Sequence, residues 1–143
     1  MVLDPHNLLD HVHPDLVRVL TEAPQYPQAF QVVYGIRTMA EEAQAVATGH
    51  SETMHSRHLP DPAYGGVAMA VDVAAVVSGA ISWTVEGPDG GTYGQVAEQV
   101  LATASALGIK VQWGGSPIGA WVDGQTSTFR DWGHFQLDPS AYP

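Results

Sequence analysis

The chain has 143 residues, 45% of them hydrophobic, which is enough for a single domain, residues 1–143, with a buried core. Five Lys and Arg residues against fifteen Asp and Glu residues give a formal net charge of −10, which argues against nucleic-acid binding and against attraction to anionic membranes. The sequence has no cysteine, so disulfides and thiolate-ligated metal sites are excluded, and a metal site would have to use histidines and carboxylates.

The first half of the chain predicts a helix, a strand and a second helix. Pro14 lies in the first turn of a helical pattern that ends before Pro24. Alternation over residues 29–36 predicts a strand that leads into Arg37. A threonine and a glutamate three residues apart then form a capping box, which predicts a helix over residues 39–48. Arg37 is therefore expected at a strand-to-helix junction.

The second half predicts strands around a long helix. Residues 67–73 alternate between large and small side chains, so we expect a strand that buries its bulky face and presents Asp72 on the other. An apolar stripe over residues 93–107, ended by a glycine, predicts a helix. Residues 109–113 read as a further strand, and His134 is expected to begin the last one.

Three residues in separate motifs, His58, Asp72 and His134, are candidate metal ligands. Two imidazoles and one carboxylate give zinc three ligands and leave a fourth position for water, as in catalytic sites. Asp72 favours this interpretation because an unpaired carboxylate in an apolar strand is costly, and a cation compensates it. Asp131 is the candidate base for the water proton, provided that a bend at Gly133 brings it to the same side as His134. The other histidines show no comparable spacing and are expected at the surface or the site rim.

These motifs resemble those of the zinc peptidases of the D-alanyl-D-alanine carboxypeptidase and L-alanyl-D-glutamate endopeptidase family, which includes phage endolysins and vancomycin-resistance dipeptidases. The shared pattern is Ser-x-His, then Gly-x-Ala-x-Asp, then a late His preceded three residues earlier by an acidic residue. Here it is matched by Ser56 and His58, by residues 66–72, and by Asp131 and His134. Residues 34–38 and 113–115 extend the resemblance over nearly the whole chain.

The resemblance implies an α+β fold in which a small, mainly antiparallel sheet carries the zinc site and helices pack to one side. It assigns Zn²⁺ to His58, Asp72 and His134 and makes Asp131 the catalytic base. It also implies that Arg37 steadies the substrate carbonyl oxygen as negative charge develops. Trp132 is expected to line the substrate groove. Ser56 either contacts the substrate or bonds the backbone near His58.

Two departures from the family pattern stand out. The spacing from His58 to Asp72 is about twice the usual one, so residues 60–65 look like an inserted loop, expected beside the metal where the substrate pocket should lie. Gln136 stands where the family often has an acidic residue, which questions the contact behind the ligand but not the ligand itself.

The implied function is a zinc-dependent peptidoglycan hydrolase that cuts the wall peptide between L-alanine and D-glutamate, as phage endolysins do. Two alternatives stay open: a D-alanyl-D-alanine carboxypeptidase or dipeptidase, and a non-catalytic zinc-binding module on the same fold. The sequence has no run near the roughly 18 apolar residues of a membrane span and no signal-peptide start. We therefore expect a protein without membrane insertion, made in the bacterial host cytoplasm. A monomer is expected because no feature of the sequence indicates an oligomer. It would reach peptidoglycan peptide stems once the membrane is permeabilised.

Overall fold

The computed structural model describes residues 2–48, 57–85, 91–115 and 131–143. Three α-helices are present in these ranges: α1 (Pro14–Glu22), α2 (Met39–Ala47) and α3 (Thr92–Leu107). Five strands accompany them: β1 (Ala29–Tyr34), β2 (Ala70–Val77), β3 (Ala80–Ser82), β4 (Val111–Trp113) and β5 (His134–Leu137). Short 3₁₀ turns cover Leu8–His11 and Pro62–Tyr64. None of the helices in the described ranges is long and apolar enough to cross a membrane.

The strands form one antiparallel sheet in the order β1-β2-β5-β4. β2 lies at its centre, and β3 pairs with the C-terminal end of β2 while β5 pairs with its N-terminal end. Asp72 is opposite Tyr34 of β1 and opposite His134 of β5. The register of the sheet therefore brings two candidate ligands together, and the predicted α+β class with a mainly antiparallel sheet is confirmed.

The core lies between the sheet and the helices α1 and α3. The side chains that fill it are fully or almost fully buried, among them Leu16, Val19, Leu20, Phe30, Val96, Val100 and Phe135. The described side chains of α2 are exposed, so this helix adds little to the core. The capping box predicted before α2 is confirmed, since Thr38 and Glu41 bond each other's backbone N–H groups.

The central strand differs from its prediction. It begins at Ala70 and continues to Val77, and its small residues are as deeply buried as its large ones. A central strand packed on both faces lacks the exposed side that alternation implies. The β2–β3 hairpin was not predicted, although its two-residue turn, Ser78 and Gly79, has positive φ angles of 52° and 80°, the geometry that tight hairpins require.

The inserted loop packs away from the position expected for it. Asp61 pairs with Val67 across its base, and the ring of Tyr64 lies 5.3 Å from that of His13 and 6.3 Å from that of Tyr142. His13, predicted at the surface, is partly buried and accepts a 3.0 Å hydrogen bond from the Asp15 N–H at the start of α1. The loop therefore joins the start of α1 to the C-terminal segment.

Candidate active site

The three candidate ligands converge on one point. Asp72 Oδ1 lies 3.2 Å from His58 Nε2 and 3.2 Å from His134 Nδ1, and the three ligand atoms all lie within 4.8 Å of one another. A tetrahedral zinc ion with bonds of 2.0–2.1 Å separates its ligand atoms by about 3.3 Å. The donor spacing thus fits a single small cation, and the cluster can hold a metal ion.

Hydrogen bonds to the backbone hold His58 in place. Its carbonyl accepts from the Arg37 N–H at 2.8 Å, and the preceding carbonyl, of Arg57, accepts from the Met69 N–H at 2.8 Å. Its ring Nδ1 lies 2.8 Å from the Gly35 carbonyl oxygen. Since a carbonyl only accepts, Nδ1 carries a proton, and Nε2 is the ring nitrogen that faces Asp72.

A glutamine orients the second histidine. His134 Nε2 donates to Gln136 Oε1 at 2.8 Å, so Nδ1 is the ring nitrogen that faces Asp72. The Gln136 amide donates in turn to Gln112 Oε1 at 3.0 Å. The contact that the sequence put in question is therefore present, with a neutral amide oxygen in place of a carboxylate.

Burial, charges and hydrogen bonds within the cluster shift the pKa values of Asp72 and His134. Burial raises the pKa of Asp72, but the charge of His58 and the hydrogen bond from His134 outweigh it and hold that pKa well below its usual range. Burial lowers the pKa of His134, but its bond to Asp72 and the nearby carboxylate charges raise it overall. The site therefore favours a carboxylate surrounded by positive charge.

Asp131 lies in the turn before β5, as predicted. Its carbonyl accepts from the His134 N–H at 3.2 Å, and its Oδ2 lies 4.0 Å from His134 Nδ1. The expected bend at Gly133 is confirmed: its carbonyl accepts from the Val73 N–H at 2.9 Å, and a Cβ there would clash with the Val73 carbonyl oxygen. Burial and the charge of Asp72 raise the pKa of Asp131 to about 6, despite the opposing effect of the two histidines.

A cavity of about 450 Å³ opens beside Asp72 and Asp131. Its other described lining residues are apolar, aromatic or glycine and come from β1, β2, the chain after β3, α3 and the turn before β5: Val33, Tyr34, Val73, Trp83, Val85, Tyr93, Trp132 and Gly133. The size is typical of sites for small molecules. Trp132 thus lines this cavity, and its contact with a substrate stays a prediction. Trp83, Val85 and Tyr93 were missed, and the Ser-Gly turn before β3 was the signal that could have located the first two.

Of the other predicted site residues, Arg37 is described and does not line this cavity. Arg37 is only 7% exposed, and its guanidinium carbon lies 4.6 Å over the ring of Tyr34, which lines the cavity. Ser56 lies outside the described residues. In the described part of the chain, no residue of the loop 60–65 lines the cavity, so the expectation that this loop shapes the pocket is wrong. Tyr64 of this loop instead contacts the rings of His13 and Tyr142.

Comparison with known proteins gives the family. A family model described as phage L-alanyl-D-glutamate peptidase matches residues 4–137. The chain belongs to this family. The L-alanyl-D-glutamate peptidase of Escherichia phage T5 is 30% identical over 132 residues, which cover 88% of each chain. The crystal structure of the Serratia marcescens L-Ala D-Glu endopeptidase ChiX superimposes with a TM-score of 0.74 at 39% identity, over 95% of this chain and 87% of that one. The predicted family and peptidase class are confirmed.

Proposed function

We propose that this phage-type peptidase is a zinc-dependent L-alanyl-D-glutamate endopeptidase that hydrolyses the wall peptide of bacterial peptidoglycan as an endolysin. Family membership supports the reaction class. The observation that carries the mechanism is the convergence of His58, Asp72 and His134 beside a cavity that Asp72 and Asp131 line.

Zinc suits this donor set better than the alternatives. Two imidazole nitrogens and one carboxylate oxygen match catalytic zinc sites, whereas magnesium and calcium favour oxygen ligands. Each imidazole has its second nitrogen bonded to an oxygen acceptor, which gives the fixed ring orientation that metal ligands need. When bound, zinc would polarise the substrate carbonyl and make a water molecule acidic enough to act as nucleophile near neutral pH.

Asp131 is the proposed base. With a pKa of about 6 before any cation binds, it is ionised at neutral pH, and an adjacent cation would lower that pKa further. A carboxylate of this kind can accept the proton of the attacking water and pass it to the leaving amine. Its proximity to His134 Nδ1, 4.0 Å, supports a position next to the reacting atoms.

Arg37, Trp132 and Ser56 keep proposed supporting roles. Arg37 would favour negative charge on the substrate oxygen, because its guanidinium lies against the ring of Tyr34, which lines the cavity. Trp132 would contact the substrate from the cavity wall. Ser56, which precedes the ligand segment by sequence, is proposed to hydrogen-bond the substrate near His58.

The charge of the cavity favours an endopeptidase over a carboxypeptidase or dipeptidase. A carboxypeptidase must bind a free terminal carboxylate, which calls for a basic side chain in the pocket. Among the described lining residues the charged ones are Asp72 and Asp131, both acidic. A non-catalytic zinc module is disfavoured because Asp131, which such a module would not require, faces the same cavity.

The proposed place of action follows from the endolysin role. The protein would be made in the bacterial host cytoplasm, reach the wall after the membrane is permeabilised, and act as a single-domain monomer on the peptide stems. The phage T5 relative, similar over most of its length, supports this assignment.

The test combines elemental analysis with mass spectrometry of the products from purified peptidoglycan. Wild type and Asp131→Asn should each hold about one zinc ion per chain, and His134→Ala should hold much less. New amino-terminal D-glutamate should be released by wild type alone. Release of terminal D-alanine only would replace the endopeptidase with a carboxypeptidase, and wild type without zinc would refute the metal assignment.

A further inference from the structure

We propose that Trp83 forms a subsite for the N-acetylated amino sugar to which the peptide stem is attached, on the alanine side of the cleaved bond. The inference rests on the proposed function, because the L-alanine of that bond is the residue joined to the sugar. It adds a specificity-determining residue and assigns a direction to the substrate.

The first observation is the exposure of Trp83. The residue is 67% exposed, yet it lines the same cavity as Asp72 and Asp131. Val85, two residues later in the chain, is 37% exposed and lines the cavity as well. A large aromatic side chain that stays exposed beside a cavity offers an apolar surface on which a ligand can pack.

The second observation is that this surface is held in place. β3 pairs with β2 from Val77↔Ala80 to Ala75↔Ser82 through the tight turn. The buried Tyr93 of α3 donates its hydroxyl to the Ser82 carbonyl at 2.7 Å, one residue before Trp83. The sheet and the helix thus fix the backbone next to Trp83, which lowers the entropy lost when a ligand binds to its indole.

The third observation is the charge around the cavity, which sets the direction of the substrate. The described charged residues of the lining are Asp72 and Asp131, and both are acidic. The cation that Asp72 is proposed to bind would balance its charge, and no described lining residue is a basic side chain that could pair with the carboxylates on the glutamate side of the bond. The alanine methyl and the C–H face of a neutral sugar instead match the wall of Val33, Trp83 and Val85. The sugar face would stack on the indole, while its hydroxyl and acetamido groups remain in water.

The experiment compares two substrates that differ only in the sugar: an uncrosslinked disaccharide-linked stem peptide and the same stem peptide without the disaccharide. Trp83→Ala should lower kcat/KM for the sugar-linked substrate by about tenfold, the upper end for an aromatic contact, and change the sugar-free one by less than about twofold. Trp83→Tyr should restore most of the loss. Ile81→Ala is the matched control, since Ile81 is an exposed apolar residue of β3 outside the described cavity lining, and both substrates should be unaffected.

A binding measurement separates this inference from the reaction itself. Because Trp132 also lines the cavity, the two peptides are compared: the disaccharide-linked peptide should quench the tryptophan fluorescence of zinc-loaded Asp131→Asn more than the sugar-free peptide does. Adding Trp83→Tyr should remove most of that difference. Equal losses of kcat/KM by Trp83→Ala on both substrates, or no loss on the sugar-linked one, would overturn the sugar subsite. Wild type that cleaves neither substrate while Trp83-dependent quenching persists would refute the proposed reaction and leave the subsite standing.

Discussion

Replacement of Gln136 tests how the site holds its metal. Gln136 is 2% exposed, and its amide oxygen accepts from His134 Nε2 at 2.8 Å. Gln136→Met has a similar volume but no acceptor, so the buried imidazole N–H loses this partner. A buried donor without its partner costs about 1–3 kcal/mol. Because about 1.4 kcal/mol corresponds to a factor of ten, zinc should bind about 10–100-fold more weakly, the range known for partners of metal ligands.

The matched variant is Gln136→Glu, which supplies a carboxylate acceptor of nearly the same shape. It should keep zinc affinity within about threefold of wild type or improve it, because a charged acceptor strengthens the bond from the imidazole. Gln112→Leu removes only the group that orients the Gln136 amide, so its effect should be smaller than that of Gln136→Met.

Zinc affinity is measured by competition with a chromophoric chelator at neutral pH, and the cobalt-substituted spectrum reports the ligand geometry. Thermal melts of the zinc-free variants control for simple loss of folding. Wild-type zinc affinity in Gln136→Met, with an unchanged cobalt spectrum, would refute the role of this glutamine in orienting His134.

Three further changes test other parts of the structure. Because Asp131 binds its proton more tightly in the folded protein, its contribution to stability falls as pH rises from its ordinary pKa near 3.8 to about 6. Asp131→Asn should therefore raise the Tm of the zinc-free protein at pH 7.5 but not at pH 3.5, while abolishing hydrolysis. The same Tm difference between variant and wild type at both pH values would contradict the destabilisation assigned to the charged carboxylate. Gly133→Ala should destabilise the protein by about 1–3 kcal/mol in urea, since the new methyl group meets the Val73 carbonyl oxygen; an unchanged midpoint would show that the turn can open. Tyr64→Ala should cost about 1–2 kcal/mol of stability through its lost ring contacts but leave kcat/KM within about twofold; a selective loss of activity would return the inserted loop to the substrate site.

The helices could be predicted from the sequence because their signals are local. The capping box before α2 and the glycine after α3 each involve residues within one turn of the helix end, and both were recognised. The ends of β2 depended instead on its partners. Its N-terminal part pairs with β5, some sixty residues later in the chain, and its extension to Val77 pairs with β3, so alternation alone could not give its length.

The sequence identified the candidate site residues, but it did not predict which residues contact them. The candidate ligands were recognised because each lies in a short motif, and the structure brings the three together. The sequence left the hydrogen-bond partner of His134 in question because glutamine carries no charge. The imidazole N–H needs only an acceptor, and the amide oxygen of Gln136 supplies it. The inserted loop was misplaced because sequence proximity to His58 says nothing about a contact with Tyr142, near the other end of the chain.

The arrangement links the sheet register directly to the chemistry. Asp72 and His134 are cross-strand partners, so a slip of one residue between β2 and β5 would turn one of them to the opposite face and dismantle the cluster. The close approach of Gly133 to Val73 fixes that register beside the site and also shapes the turn that holds Asp131. The same strand then continues into the hairpin that carries Trp83. One central strand therefore positions the candidate ligand Asp72, the proposed base and the proposed sugar subsite.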